Sequence, residues 1–135
     1  MKILVLDDFD AFRHEIVDIL IRNGHAADGA ASAIEAIALV EGGDYDLVLA
    51  DYNMPGHDGL WFMNNAKRPK KTKVLLITAH VNRDIIDAMF KSGAAGYIIK
   101  PFDEADLLHN IGFHYEKGRQ NTDESDHQQP QVNEC

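Results

Sequence analysis

Residues Leu47-Val48-Leu49-Ala50 form an unbroken apolar run that stops on a carboxylate, Asp51, after which the chain turns through Pro55, Gly56 and Gly59. A short run of this kind, bounded by turn residues, suits a strand covered on both faces, as in the interior of a parallel sheet. In open α/β sheets ligands and chemistry gather outside the carboxyl ends of the strands. Asp51 stands at such an end. Three further runs finish in the same way: Lys2 to Leu6 in Asp7-Asp8, Val74 to Ile77 in Thr78, and Tyr97 to Ile99 in Lys100-Pro101. If these strands are parallel, an acid pair, an acid, a hydroxyl and a lysine share one edge. Taken singly, each has a plainer explanation: a helix cap at Asp7, Asp8 or Asp10, a strand end at Thr78, a turn at Lys100-Pro101.

Helical periodicity fills the intervals. Phe12, Ile16, Ile19 and Leu20 predict a helix between Phe9 and Asn23, stopped by Asn23-Gly24. His25 to Ala30 is a weaker, Ala-rich strand candidate. Ser32 with Glu35 forms a capping-box signature for a helix that ends at Gly42-Gly43. Gly59 to Ala66 predicts a short helix, with Trp61 in the core or at its rim. Asn82 or Asp84 opens a helix carrying Ile85, Ile86, Met89 and Phe90, closed by Ser92-Gly93. Asp103 with Asp106 opens the last helix, where Gly112 costs about 1 kcal/mol relative to Ala and predicts a weak or early end. The alternation of strand and helix predicts an α/β fold with a parallel sheet and right-handed crossovers.

The acid pair Asp7-Asp8, the D-x-x-M-P motif from Asp51 to Pro55, Thr78-Ala79 and Lys100-Pro101, in register with the strands, together resemble the receiver domain of two-component response regulators. The resemblance covers residues 1–117. It implies a flavodoxin-like, doubly wound sheet of five parallel strands in the order 2-1-3-4-5, with helices on both faces. It also implies a regulator that accepts a phosphoryl group on Asp51 from a sensor histidine kinase or a histidine phosphotransfer protein. Lys100 would then pair with the phosphoryl group and Thr78 would donate a hydrogen bond to it. Asp8, Asp51 and the backbone carbonyl of Asn53 would hold Mg²⁺ (or Mn²⁺), with Asp7 acting through water. Such an ion would relieve the mutual repulsion of the three carboxylates. Thr78 and Tyr97 would form the switch to a downstream protein, Tyr97 passing from exposed to buried. Asn53 and His80 occupy positions that tune dephosphorylation, and the Lys100-Pro101 bond is expected to be cis. Such a domain is no enzyme toward a separate substrate, although it catalyses its own phosphorylation and dephosphorylation. One departure is Asn110, where receivers that dimerise through their last face often carry Arg. A monomer or a weak, phosphorylation-dependent dimer is therefore expected.

Other classes fit less well. A haloacid-dehalogenase-type phosphotransferase wants a second Asp two residues after the nucleophile, and that residue is Asn53. A flavodoxin-type FMN module wants a hydroxyl- and Gly-rich loop after the first strand, where Asp7-Asp8-Phe9-Asp10 has the wrong charge. A net charge of -9 argues against direct nucleic-acid binding. The local exception, Lys67-Arg68-Pro69-Lys70-Lys71-Thr72-Lys73, reads as a solvated connection with no aromatic for stacking. No run approaches the ~18 apolar residues of a membrane span, so no membrane insertion is expected. The opening Met-Lys runs straight into a strand rather than a signal peptide, and the one cysteine, Cys135, has no partner within the chain, which together predict a cytoplasmic setting. Residues 118–135 turn polar and predict a disordered tail without a second domain, which favours a single-domain, stand-alone regulator over the alternative of a receiver module cut from a larger kinase or transcription factor. The seven histidines show no metal-site spacing and are expected mostly at the surface.

Overall fold

The computed structural model of the chain describes residues 1–120, with side chains as far as His114. Strands β1 (Lys2–Leu6), β2 (Ala26–Ala30), β3 (Leu47–Asp51), β4 (Lys73–Thr78) and β5 (Gly96–Ile99) alternate with helices α1 (Asp10–Arg22), α2 (Ala33–Gly42), α3 (Gly59–Asn65), α4 (Arg83–Lys91) and α5 (Glu104–Gln120). Every pairing is parallel, and the order across the sheet is β2-β1-β3-β4-β5. This is the doubly wound, flavodoxin-like α/β architecture expected from the sequence.

The period of two along each strand divides the core between the two faces of the sheet. Leu4, Leu6, Val48, Ala50, Val74 and Leu76 pack with residues of α2, α3 and α4, among them Ala36, Phe62 and Met89. Ile3, Val5, Leu49, Leu75 and Ile77 pack on the other face against Ile16 and Leu20 of α1 and Leu107 and Ile111 of α5. Burying a side chain of this size is worth roughly 1.5–3 kcal/mol. Strands flanked on both faces therefore read as continuous apolar runs. β2 is the contrast: it pairs only with β1, and its sequence Ala26-Ala27-Asp28-Gly29-Ala30 is largely exposed.

The helix starts follow local hydrogen bonding. Ser32 Oγ accepts from Glu35 N at 3.2 Å, while Glu35 Oε1 reaches back to Ala31 N rather than to the cap residue itself. Asn82 caps α4 through Ile85 N, and Asp103 and Asp106 bond each other's backbone N–H at the start of α5. α1 begins at Asp10 with Phe9 as its uncapped N-cap residue. Gly112 does not end α5, which continues to Gln120 because Leu107 and Ile111 anchor it in the core. The polar segment expected from residue 118 lies outside the described residues from 121 onward. Asn110 is buried and bonds back to the Asp106 carbonyl of its own helix. Among the described histidines, His14, His57, His80 and His109 are exposed, whereas His25 is half-buried and His114 is buried.

Candidate functional site

Strand register brings the chemistry together. Leu6 pairs with Ala50, so Asp7 and Asp51 emerge side by side where β1 and β3 meet, the point at which strand order reverses. Thr78 pairs with Ile99, so Lys100 leaves β5 one residue later, with its N–H on the Thr78 carbonyl at 2.8 Å. The Lys100-Pro101 bond is cis. Gly59 folds the loop that follows Asp51 back onto the strand. A Cβ at position 59 would lie 2.7 Å from the Asp51 carbonyl oxygen, so only glycine permits this approach.

Asp7, Asp8 and Asp51 present oxygens within 4.8 Å of one another. Asp7 and Asp51 are buried and Asp8 is exposed. Lys100 Nζ stands 3.9 Å from Asp7 Oδ2 and 3.9 Å from Asp51 Oδ1, an ion pair shared between two carboxylates but too long for hydrogen bonding to either. Burial, followed by the charge of Asp7, pushes the Asp51 carboxyl up to about 6, against the pull of Lys100 and the Asn53 N–H. The Asp7 carboxyl is also raised, chiefly by burial, although the Phe9 N–H and Lys100 oppose the shift. Asp7 Oδ1 accepts from Phe9 N at 2.9 Å, so this acid holds the turn rather than capping α1. Its other oxygen, Oδ2, is buried without a hydrogen-bond partner among the described residues. An orphaned buried oxygen among crowded carboxylates, with an all-oxygen donor set, fits a hard divalent cation.

The remaining residues singled out from the sequence border this cluster. Asn53 is exposed, and its N–H points to Asp51 Oδ1 at 3.4 Å. The buried Thr78 hydroxyl donates to the His80 carbonyl at 2.9 Å and accepts from His80 N at 3.2 Å. His80 itself is exposed. Tyr97, expected to be exposed before phosphorylation, is already buried in the core, with its ring edge-on to Phe90 at 6.3 Å. Trp61 is half-buried at the rim, stacked on the His57 imidazole at 3.7 Å.

The family profile of the response regulator receiver domain matches residues 3–112. The chain belongs to the response regulator receiver family. It is therefore a signalling domain of the two-component type. The chemotaxis protein CheY-3 of Vibrio cholerae is 34% identical over 121 residues, 87% of this chain and 93% of that protein. CheY of Pseudomonas aeruginosa is 32% identical over 115 residues, 82% of this chain and 93% of that protein. Among solved structures, V. cholerae CheY4 superposes with a TM-score of 0.80 at 27% identity, covering 83% of this chain and 96% of that one. A CheY-like receiver domain protein from Methanospirillum hungatei gives 0.82 at 26%, covering 90% and 98%. Among the described residues no helix is long and apolar enough to cross a membrane.

Two residues of this receiver's site were not evident from the sequence. Phe12, read only as a core position of α1, lies 4.5 Å from Lys100 Nζ at its ring centroid and meets Phe102 edge-on at 6.0 Å. Arg13, on the neighbouring position of α1, donates to the Asp7 carbonyl at 2.8 Å and pairs with Asp10 at 2.7 Å. No motif marks either residue. Their spacing from Asp8 on α1, one turn into the helix, is the only signal that they return to the strand ends.

Proposed function

We propose that this receiver domain takes a phosphoryl group onto Asp51 from a phosphohistidine of a sensor histidine kinase or histidine phosphotransfer protein. The reaction depends on Mg²⁺ or Mn²⁺, and the signal passes to a downstream protein through a conformational switch. The observation that carries this reading is the Lys100 ammonium suspended 3.9 Å from both Asp51 Oδ1 and Asp7 Oδ2. A cation held between two acids, bonded to neither, is available to a third anion arriving on Asp51.

In the transfer, an Asp51 oxygen attacks phosphorus. The new O–P bond forms as the P–N bond breaks, and the imidazole leaves with the bonding electron pair. With its carboxyl at about 6, Asp51 is mostly ionised at neutral pH, as a nucleophile must be. Lys100 stabilises the phosphoryl oxygens electrostatically, the main work the protein does in phosphoryl transfer. Asp8, Asp51 and the Asn53 carbonyl would hold the divalent ion, with Asp7 assisting through water; when bound, the ion neutralises charge on the transferred group. Asn53 and His80, exposed beside the site, set the lifetime of the acyl phosphate. The domain thus catalyses its own phosphorylation and dephosphorylation and acts on no separate substrate.

The switch begins at Thr78, whose hydroxyl exchanges the His80 carbonyl, now 2.9 Å away, for a phosphoryl oxygen. The gain is the difference between a charge-assisted and a neutral hydrogen bond, about 1–2 kcal/mol. Moving a two-state equilibrium from 1:99 to 99:1 takes about 5.5 kcal/mol, so the response is graded. Tyr97, paired with Leu76 on β4, carries the change toward Phe90 on α4, phosphorylation favouring its buried position over an exposed one. A cytoplasmic setting, and a monomer or weak phosphorylation-dependent dimer, go with this function. The test is labelling with acetyl phosphate and Mg²⁺. One phosphoryl group per chain is expected, and none on Asp51→Asn. Undiminished labelling of that variant would overturn the assignment.

A further inference from the structure

The connection between α3 and β4, Lys67 to Lys73, carries Lys67, Arg68, Lys70, Lys71 and Lys73 in a protein whose net charge is -9. It lies at the amino end of β4, opposite Thr78 and separated from it by five strand rises, roughly 17 Å. A cavity of about 500 Å³ opens there, lined by Lys67, Arg68, Lys70 and Lys73 together with Gly93 and Ala95. Lys71 is accounted for, held by Asp44 at 2.8 Å and Asp46 at 3.1 Å. Among the described residues no carboxylate lies within ion-pair distance of the other four cations.

Arg68 is half-buried, and its guanidinium reaches the backbone of Gly93. Gly93 has φ +97, and a Cβ there would lie 3.3 Å from Arg68 Nη2. The positive φ calls for glycine, and the absent side chain also leaves the guanidinium room beside the backbone. Its one hydrogen bond among the described residues, Nη2 to the Gly93 carbonyl, is 3.5 Å long, at the outer limit, and leaves most of a five-donor fork unpaired. Burial lowers the Arg68 pKa, as expected for a cation withdrawn from water without a counter-charge.

The chemistry of the lining selects the anion. Four cations exceed what a single carboxylate balances. An arginine fork and lysine point charges are the recurring phosphate binders. No aromatic lines the cavity, so a nucleobase has nothing to stack on. At the opposite edge, Lys100 is enclosed by carboxylates that repel a free anion. We propose that the cavity under the α3–β4 connection binds a compact inorganic oligophosphate, of the pyrophosphate and tripolyphosphate class, seated on Arg68 and Gly93.

The experiment titrates the isotopically labelled full chain with phosphate, pyrophosphate, tripolyphosphate and ATP in Mg²⁺-free buffer, following backbone amide signals. Saturable shifts are expected at Arg68, Lys70, Gly93 and Ala95, with a pyrophosphate midpoint below about 1 mM that tightens with tripolyphosphate. Arg68→Gln should raise the midpoint at least tenfold. Lys70→Gln, on the exposed turn and outside the packing, should raise it several-fold. Lys91→Gln removes a nearby exposed charge outside the lining and should change it less than twofold. Equal weakening by Lys91→Gln and Arg68→Gln would reveal a diffuse field instead of a site. Either that result, a lack of saturable shifts, or an ATP midpoint tenfold tighter than that of tripolyphosphate would overturn the proposal.

Discussion

Asp51 is held in the folded chain at a pKa of about 6, against a model-compound value of 3.8. The folded state thus binds this proton more tightly than the unfolded state. The group's contribution to stability is fully present below pH ~4 and is lost as pH rises through about 6. Removing the charge should therefore stabilise the metal-free protein at pH 7 by about 1–3 kcal/mol and do little at pH 4. Urea unfolding of Asp51→Asn at the two pH values measures this, and an equal effect at both would contradict it. Lys100 offers a second test. Its ammonium sits 4.5 Å from the Phe12 ring centroid, an interaction worth about 0.5–1 kcal/mol at a partly exposed position. Phe12→Leu keeps the apolar packing and removes the ring quadrupole, so the acetyl phosphate labelling rate should fall roughly two- to fivefold. An unchanged rate would leave Phe12 a packing residue only. The acids and the lysine were legible in the sequence because each closes a strand, and strand ends share an edge. Phe12 and Arg13 were not, because their roles depend on how α1 lies across that edge.

The loop joining β3 to α3 depends on a contact that no larger residue allows, the approach of Gly59 to the Asp51 carbonyl. A methyl group at position 59 would stand 2.7 Å from that oxygen and 2.9 Å from a Leu76 methyl, inside the core. Gly59→Ala should cost about 1–3 kcal/mol, the range for overpacking, and should also displace Asp51. Thermal unfolding together with divalent-ion affinity checks both parts; loss of one without the other would separate the loop from the site. Elements differed in how plainly they could be read. β1, β3 and β4 are covered on both faces and appear as apolar runs. β2 borders a single strand and needs less apolar surface, which is why Ala26 to Ala30 gave a faint signal. α5 passes through Gly112 because burial of Leu107 and Ile111 outweighs a propensity cost of about 1 kcal/mol.

Across the whole molecule, the two ends of the strands differ in charge: carboxylates cluster where β1 and β3 end, whereas four cations without an ion-pair partner among the described residues gather where β4 begins. The alternation of strand and helix was enough to predict the sheet and its layers, and strand order followed from the family likeness. The facing of individual side chains, such as the Thr78 hydroxyl turned to His80, required coordinates. The stack of Trp61 on His57 has a practical consequence at this scale. The chain has a single tryptophan, and it lies 3.7 Å from an imidazole in the loop that leaves Asp51. An indole in such contact has an emission intensity that follows the geometry of the stack. Adding Mg²⁺ should therefore change the intrinsic fluorescence in a saturable way. Asp8→Ala should abolish that response, and His57→Ala should brighten the indole while leaving the ion affinity intact. A flat titration in the unaltered protein would mean that the loop does not move when the ion binds. The protein thus carries its own optical gauge of the site, readable in a cuvette without a label.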